Sequence, residues 1–265
     1  MAKTEKELAF LRDLYINDEW THRFTDVVDK HLTFSKKDEN FLYVNAGTGT
    51  HCFAVREKVD KNVAVFATCE NDEILHIARD KAKAVKSDVD FSTMRFEDGT
   101  FDAVLVDASF VRPADLPNVI SEAGRVAKTG GKVTVFFPTA GSFGEVFSVL
   151  WEVLFNEDLG EHGAAVEKMI RELPTLSSAE ELATEKGLVN VETHSAKEIF
   201  EYGNGAEFIL SPLVADFLLP AWLESLDENE KVQVTEKLPQ LIDSEDGEMS
   251  FRFSVKVTVL IGEKA

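Results

Sequence analysis

The sequence predicts an α/β protein built on a doubly wound, mostly parallel, seven-stranded sheet, with N-terminal helices and a helical insertion before the last strand. Three observations predict it. Short apolar runs such as VAVFAT at 63–68 and KVTVFF at 132–137 suit strands covered on both faces. Stretches with helical spacing of apolar residues separate these runs, so strand and helix alternate along most of the chain. A tight turn, Gly47-Thr48-Gly49, joins the first strand to the next helical stretch.

Residues 4–32 read as helical, because Trp20, Phe24, Val27, Val28 and Leu32 recur on one face. This segment precedes the first strand, so it must pack on the sheet's edge or over its top. Residues 35–40 form a charged connector. Phe41, Leu42, Tyr43 and Val44 suit a buried strand, and Asn45 opens the glycine turn. A helix resumes at Cys52 and runs towards Val59, where Lys61 and Asn62 break it. The second strand, 63–68, ends before Cys69 and Glu70, and Asn71 and Asp72 are start signals for a helix over 73–85. Val89 and Phe91 mark a short third strand. The fourth covers 103–106 and ends at Asp107. Residues 116–128 are helical, with Gly130-Gly131 as the stop. The fifth strand, 132–137, ends at Pro138, and an amphipathic helix covers 143–156. A shorter helix at 178–187 leads to a sixth strand at 189–193. Residues 202–248 read mainly as helices and loops. The last strand, 250–261, alternates Phe251, Phe253, Val255, Val257 and Val259. The expected domains are an N-terminal helical cap at 1–40, a core of 41–202 plus 249–265, and a helical lid at 203–248.

At 265 residues, 44% of them hydrophobic, the chain can bury a sizeable core. No apolar run approaches the roughly 18 residues needed to span a bilayer. Residues 1–7 are too charged for a signal peptide. The two cysteines, Cys52 and Cys69, fall in elements expected to be buried, which points to reduced thiols and a cytoplasmic protein without a membrane partner. Neither they nor the six histidines have metal-site spacing, so no metal is expected. A formal charge of −20 argues against nucleic acid as a partner, since phosphate contacts need clustered Lys and Arg. Residues 151–250 carry 23 carboxylates against 6 Lys plus Arg, or −17 of the −20. That excess suits solvated helix faces, with a basic partner as the alternative.

The stretch 41–55, FLYVNAGTGTHCFAV, combines a strand, a glycine turn and a helix N-terminus. Glycines let backbone approach a ligand, and the free N–H groups of a helix start attract its negative end. On this stretch alone, a glycine turn without a ligand is the competing reading.

Four segments carry a family resemblance: NAGTGTH at 45–51, VFATCEND at 65–72, MRFEDGTFDAVLVDASF at 94–110 and SEAGRVAKTGGKVTVFFPT at 121–139. Together they resemble the small-molecule branch of the class I S-adenosylmethionine-dependent methyltransferases, over about residues 41–200 plus the closing strand. FEDGTFDAVLV followed by EAGRVAKTGGKVTV is similar to the family's FPDGSFD and ExxRVLKPGG segments. That combination is more specific than the glycine loop. The resemblance implies a Rossmann-like core, S-adenosyl-L-methionine as cofactor, and methyl transfer to a small-molecule acceptor.

It also implies that Asn45, Gly47, Thr48, Gly49, Thr50, Glu70, Asn71, Asp90, Asp107 and Ala108 contact the cofactor. Gly47 and Gly49 would let backbone close onto its amino-acid end, and the N–H groups of Thr50 and His51 would face its carboxylate. Glu70, at a strand end 21 residues after Gly49, can accept hydrogen bonds from both ribose hydroxyls. Otherwise it is a solvated acid favoured by the helix dipole. Asp90 or Ser92 would lie beside the adenine. Asp107 sits where the crevice of such sheets lies, or caps the following loop. Two departures stand out. The family usually places an acid where this chain has Asn45, to receive the cofactor's ammonium, and the third loop glycine is replaced by His51. They raise the alternative of a non-catalytic binding or assembly protein. An NAD-dependent oxidoreductase is the third reading, although its fingerprint wants Gly or Ala at position 52, where Cys52 follows a bulky His51.

Methyl transfer is an in-line displacement, so the protein's task is to align nucleophile, methyl and sulfur in a dry pocket. A base is needed only when the acceptor must lose a proton. His51 and Asp107 lie near the expected crevice and His194 further away, and none is assigned as catalytic. The acceptor pocket is expected from Tyr15 and Trp20, from Phe110 and Arg112, from Thr139 and Phe143, and from Trp222. Such a lining favours a small apolar or aromatic acceptor. Core packing would account for most of these residues singly. The cluster FILSPLVADFLLPAW at 208–222 must be covered, either as a lid over the crevice or as a homodimer face.

Overall fold

The computed structural model describes residues 3–246 and 250–265. Its strands are β1 Asn40–Val44, β2 Ala64–Thr68, β3 Asp90–Ser92, β4 Phe101–Asp107, β5 Ala127–Thr139, β6 Leu188–Tyr202 and β7 Phe251–Lys264. They form one seven-stranded sheet of order β3-β2-β1-β4-β5-β7-β6. The pairings β1–β2, β1–β4, β2–β3 and β4–β5 are parallel, with Phe41 opposite Val65 on one side and Ala103 on the other. β7 runs antiparallel. The expected doubly wound, mostly parallel sheet is what the chain forms.

The helices are α1 Glu5–Leu11, α2 His22–His31, α3 Thr50–Lys58, α4 Asp72–Val85, α5 Leu116–Val126, α6 Gly144–Asn156, α7 Gly163–Glu172, α8 Leu176–Glu185, α9 Gly205–Leu210, α10 Leu219–Trp222 and α11 Glu228–Asp246. Two further segments, Arg12–Thr21 and Leu213–Leu218, are π-helical. Among the described residues, no helix is long and apolar enough to cross a membrane.

The chain divides into two compact units, 1–137 with 176–195 and 257–265, and 138–175 with 196–256. The insertion expected at 203–248 therefore belongs with 138–175, and the expected cap belongs with the first unit. The boundary placed between 248 and 249 lies outside the described residues, as do residues 1 and 2.

In the first unit, Leu42, Val104, Val106, Val133 and Val135 are buried with Leu116 and Ile120 of α5. α1 begins with a capping box, Thr4 with Glu7. The two segments that carried the family resemblance are joined to each other. The N–H groups of Gly99 and Thr100 donate to the carbonyls of Arg125 and Val126 at 3.0 and 2.8 Å. Arg125 in turn pairs with Asp98 and Glu122, and its Nη2 donates to the Phe96 carbonyl. Their co-occurrence is structural, since each completes the other's hydrogen bonds.

Several boundaries differ from expectation. The helix expected over 4–32 is interrupted by the wide turns of Arg12–Thr21. Gly130 and Gly131 lie inside β5 and do not stop α5, which ends against Ala127. A Cβ on Gly131 would lie 2.7 Å from the Lys128 carbonyl oxygen, so only glycine fits there. β6 extends far beyond 189–193, and residues 157–175, unassigned from the sequence, include α7. The second unit has an aromatic core. Phe143 meets Trp222 at 5.5 Å, Phe200 stacks on Phe253 at 4.8 Å, and Phe208 meets Phe251 edge-on.

Candidate cofactor site

From β1 the chain winds outward to β2 and β3, then returns to β4 on the other side of β1. At such a switch point the connections diverge and leave a crevice beyond the strand C-termini. The turn after β1 lies there. Asn45, Gly47 and Gly49 all have left-handed backbones, with φ of 56°, 55° and 85°. The Asn45 and Ala46 N–H groups donate to the Thr68 hydroxyl and carbonyl, and Asn45 Nδ2 donates to the Asp107 carbonyl at 3.1 Å. The turn is thereby tied to the ends of β2 and β4. A Cβ on Gly49 would lie 2.7 Å from the Phe91 ring, so that glycine serves packing. A Cβ on Gly47 would meet only Arg12, with Nε at 3.6 Å. Of the two glycines in this turn, Gly47 is the one with room for a Cβ. Gly49 caps α3 without any side-chain bond to the helix's first turn.

The space in front of Gly47 holds the Arg12 guanidinium. Arg12 is only 5% exposed. Its Nη2 donates to Glu70 Oε1 at 3.0 Å and lies 3.6 Å from Asp107 Oδ2, while its Cζ sits 4.6 Å over the Phe110 ring. Glu70 keeps 30% of its side chain exposed, and the partial desolvation pushes its carboxyl up, against Arg12 and the backbone N–H groups of Glu70 and Gly47, which lower it. Burial likewise pushes Asp107 up, with Arg12 and the Ser109 N–H opposing. Next to Arg12, Asp13 Oδ1 accepts from the Thr48 hydroxyl and from Lys81 Nζ, both at 2.6 Å. Asn17 Nδ2 donates to the hydroxyls of Thr48 and Thr50 at 2.9 and 3.0 Å. This polar row fastens the N-terminal segment over the glycine turn.

The structure thus brings together Asn45, Gly47, Thr48, Thr50, Glu70 and Asp107, with Ala108 buried beside the last. Asn71 has a separate task, accepting from the Ile74 N–H at 2.9 Å to cap α4. Asp90 is exposed on β3, whereas Ser92 is buried and accepts from the Met94 N–H. His51, considered for the reaction centre, is turned elsewhere. Its Nδ1 lies 2.9 Å from the Tyr43 hydroxyl and its Nε2 lies 3.2 Å from Asp29 Oδ1. Of the expected acceptor residues, Trp20 is buried against Phe24 and Phe110, at 5.0 and 5.1 Å. Tyr15 is 50% exposed, and Arg112 is exposed before the short 3₁₀ turn Pro113–Asp115. In the second unit, Thr139 is buried and donates to the Lys256 carbonyl, and Phe143 and Trp222 pack into the aromatic core.

Sequence reasoning missed Arg12, Asp13, Asn17 and Lys81. Their one local signal is a charged pair, Arg12-Asp13, set between the apolar residues Leu11 and Leu14.

Comparison with known proteins places this architecture. The chain is 31% identical over 153 residues to the demethylmenaquinone methyltransferase of Thermus thermophilus, covering 55% of this chain and 65% of that protein. The chain thus spans just under two thirds of the length of this relative. It superposes on the YcgJ protein of Bacillus subtilis with a TM-score of 0.58 at 13% identity, covering 92% of this chain and 98% of that one. Haemonchus contortus phosphoethanolamine N-methyltransferase 2, solved with phosphomonomethylethanolamine and S-adenosylhomocysteine, gives a TM-score of 0.56 at 14% identity, covering 98% of this chain and 58% of that one. These two likenesses concern the fold. The ubiE/COQ5 methyltransferase family matches residues 11–198, a span that runs from the segment carrying Arg12 through the glycine turn, Glu70 and Asp107, and the chain belongs to that family.

Proposed function

We propose that this chain binds S-adenosyl-L-methionine in the crevice beyond β1 and β4 and transfers its methyl group to a small acceptor. The observation that carries the reading is Glu70. It is a carboxylate at the end of β2, beside an open-sided glycine turn, in a chain of a methyltransferase family. The residues fit the cofactor. Gly47 leaves a cradle that a Cβ would narrow, and α3 begins without a side-chain cap. Arg12 Nε, facing that cradle, is buried without a hydrogen-bond partner among the described residues.

In this reading Glu70 holds the ribose hydroxyls and Asp107 faces the cationic end. The first-turn N–H groups of α3, at Thr50 and His51, face the amino-acid end. When bound, the cofactor supplies an electrophilic methyl on a sulfonium. The chain's part is to orient it and keep water out, with Phe110 and the buried Trp20 on the covering side. His51, held between Tyr43 and Asp29, presents no base to the crevice. The finer proposal is a small apolar or aromatic acceptor, supported by the substrate in the Thermus relative's name and by the half-buried Phe110.

Calorimetric titration with S-adenosylmethionine, S-adenosylhomocysteine and NAD tests this. Binding of the first two and not the third is expected. Glu70→Ala should weaken them by about 30- to 1,000-fold, through loss of two hydrogen bonds to a charged acceptor. Unchanged affinity in a folded variant removes Glu70 from the site. One observation favours a second reading, a non-catalytic binding or assembly protein: the Arg12 guanidinium already lies against both acids. Wild-type protein that binds neither sulfur ligand would establish that reading.

A further inference from the structure

Resting on the cofactor reading above, we infer that Arg12 and the uncapped first turn of α3 together form the receptor for the cofactor's carboxylate. A guanidinium has five N–H donors, and among the described residues Arg12 makes one hydrogen bond, to Glu70 Oε1, with Asp107 Oδ2 3.6 Å from the same nitrogen. Its Nε is shut off from solvent with no partner among the described residues. Folded proteins rarely leave such a donor unmet, and an orphan beside a glycine cradle marks where an acceptor belongs. The direction is defined. Nε is the Arg12 atom nearest the open side of Gly47, and Phe110 beneath Cζ sets the plane of the guanidinium.

The backbone carrying Arg12 is pinned, because Asp13 is fastened to Thr48 and Lys81. The π-helical turns begin at Arg12 itself, and π-helical turns within helices are frequent at functional sites. α3, nine residues long, contributes first-turn N–H groups and the positive end of its dipole. A planar carboxylate matches a guanidinium fork, which a lysine cannot reproduce. Charge balance agrees. Two acids and one guanidinium leave a single negative charge, and the cofactor carries a single net positive one. Its ammonium would face Asp107 and its ribose Glu70, while its carboxylate would meet Arg12.

The test compares S-adenosylmethionine with decarboxylated S-adenosylmethionine by calorimetric binding to wild type, Arg12→Gln and Arg12→Lys. Wild type should prefer the carboxylate-bearing ligand by about 10- to 100-fold, the range for a charge-assisted bond. In Arg12→Gln the preference should shrink to about 3-fold or less. Circular dichroism checks that this variant folds. Arg12→Lys, which keeps a cation for Glu70 but lacks the Nε donor, decides the matter if it does not, and its preference should also fall. Equal weakening of both ligands would mean that Arg12 acts only by holding Glu70, and would overturn the proposal. Equal tightening would mean that Arg12 merely fills the cradle, and would overturn it too. Wild type binding neither ligand is a different failure, that of the cofactor reading itself.

Discussion

Asn45 has its backbone in the left-handed region and its amide bonded to the Asp107 carbonyl. From the sequence, an acid at this position would supply the charge the family uses. In the structure an Asp at this position could not donate to that carbonyl and would add a charge next to buried Asp107. Asn45→Asp should cost about 1–3 kcal/mol, read as a lower denaturation midpoint at constant slope. A second residue-scale consequence concerns acid. The His51 hydrogen bond, ahead of Lys58, holds the Asp29 carboxyl at about 2, below its ordinary 3.8. A depressed folded value means stability that is present at neutral pH and lost as pH falls from about 4 through about 2. Unfolding free energy measured across that window should fall less steeply in Asp29→Asn than in wild type. Parallel curves would show that the His51 contact contributes nothing.

The N-terminal segment makes the corresponding case for elements. Its apolar spacing was legible as helix, and its place over the sheet was one of two options read from order alone. The π-helical interruption was not legible, because what fixes it lies far along the chain. Asp13 meets Thr48 and Lys81, and Asn17 meets Thr50. Hydrophobic periodicity carries no record of such partners. β6 was underestimated for a related reason. It is the sheet's last strand, mostly exposed or half-buried, and its residues 194–199 carry none of the apolar run that announced β2, β4 and β5. By contrast Gly47, Glu70 and Asp107 were legible, since a turn glycine and two strand-end acids follow from topology. Asp13→Ala tests the fastening. It should cost about 1–2 kcal/mol, as a partly exposed charged hydrogen-bond pair does. Hydrogen exchange should rise across Arg12–Thr21 and stay unchanged in β4.

Across the whole molecule, the residues assigned to the cofactor all belong to the first unit, and much of the aromatic mass expected to surround an acceptor belongs to the second. The cluster at 208–222 was legible as a group needing cover. Its use was not, because a ring that packs and a ring that binds leave the same mark in a sequence. In the second unit Trp222 is 7% exposed and meets Phe143 and Phe147 at 5.5 and 5.8 Å. Trp222→Ala leaves a cavity in that core and should cost about 3–5 kcal/mol by thermal or chemical denaturation. The affinity for S-adenosylmethionine should change by no more than about 2-fold, because the residues assigned to the cofactor all belong to the other compact unit and, among the described residues, share no aromatic partner with Trp222. Aromatic replacement separates the two roles of the ring. Trp222→Phe keeps most of the packing, so a purely structural Trp222 leaves the acceptor KM near the wild-type value. A KM that rises several-fold in Trp222→Phe, with stability and cofactor affinity kept, would assign the ring to the acceptor.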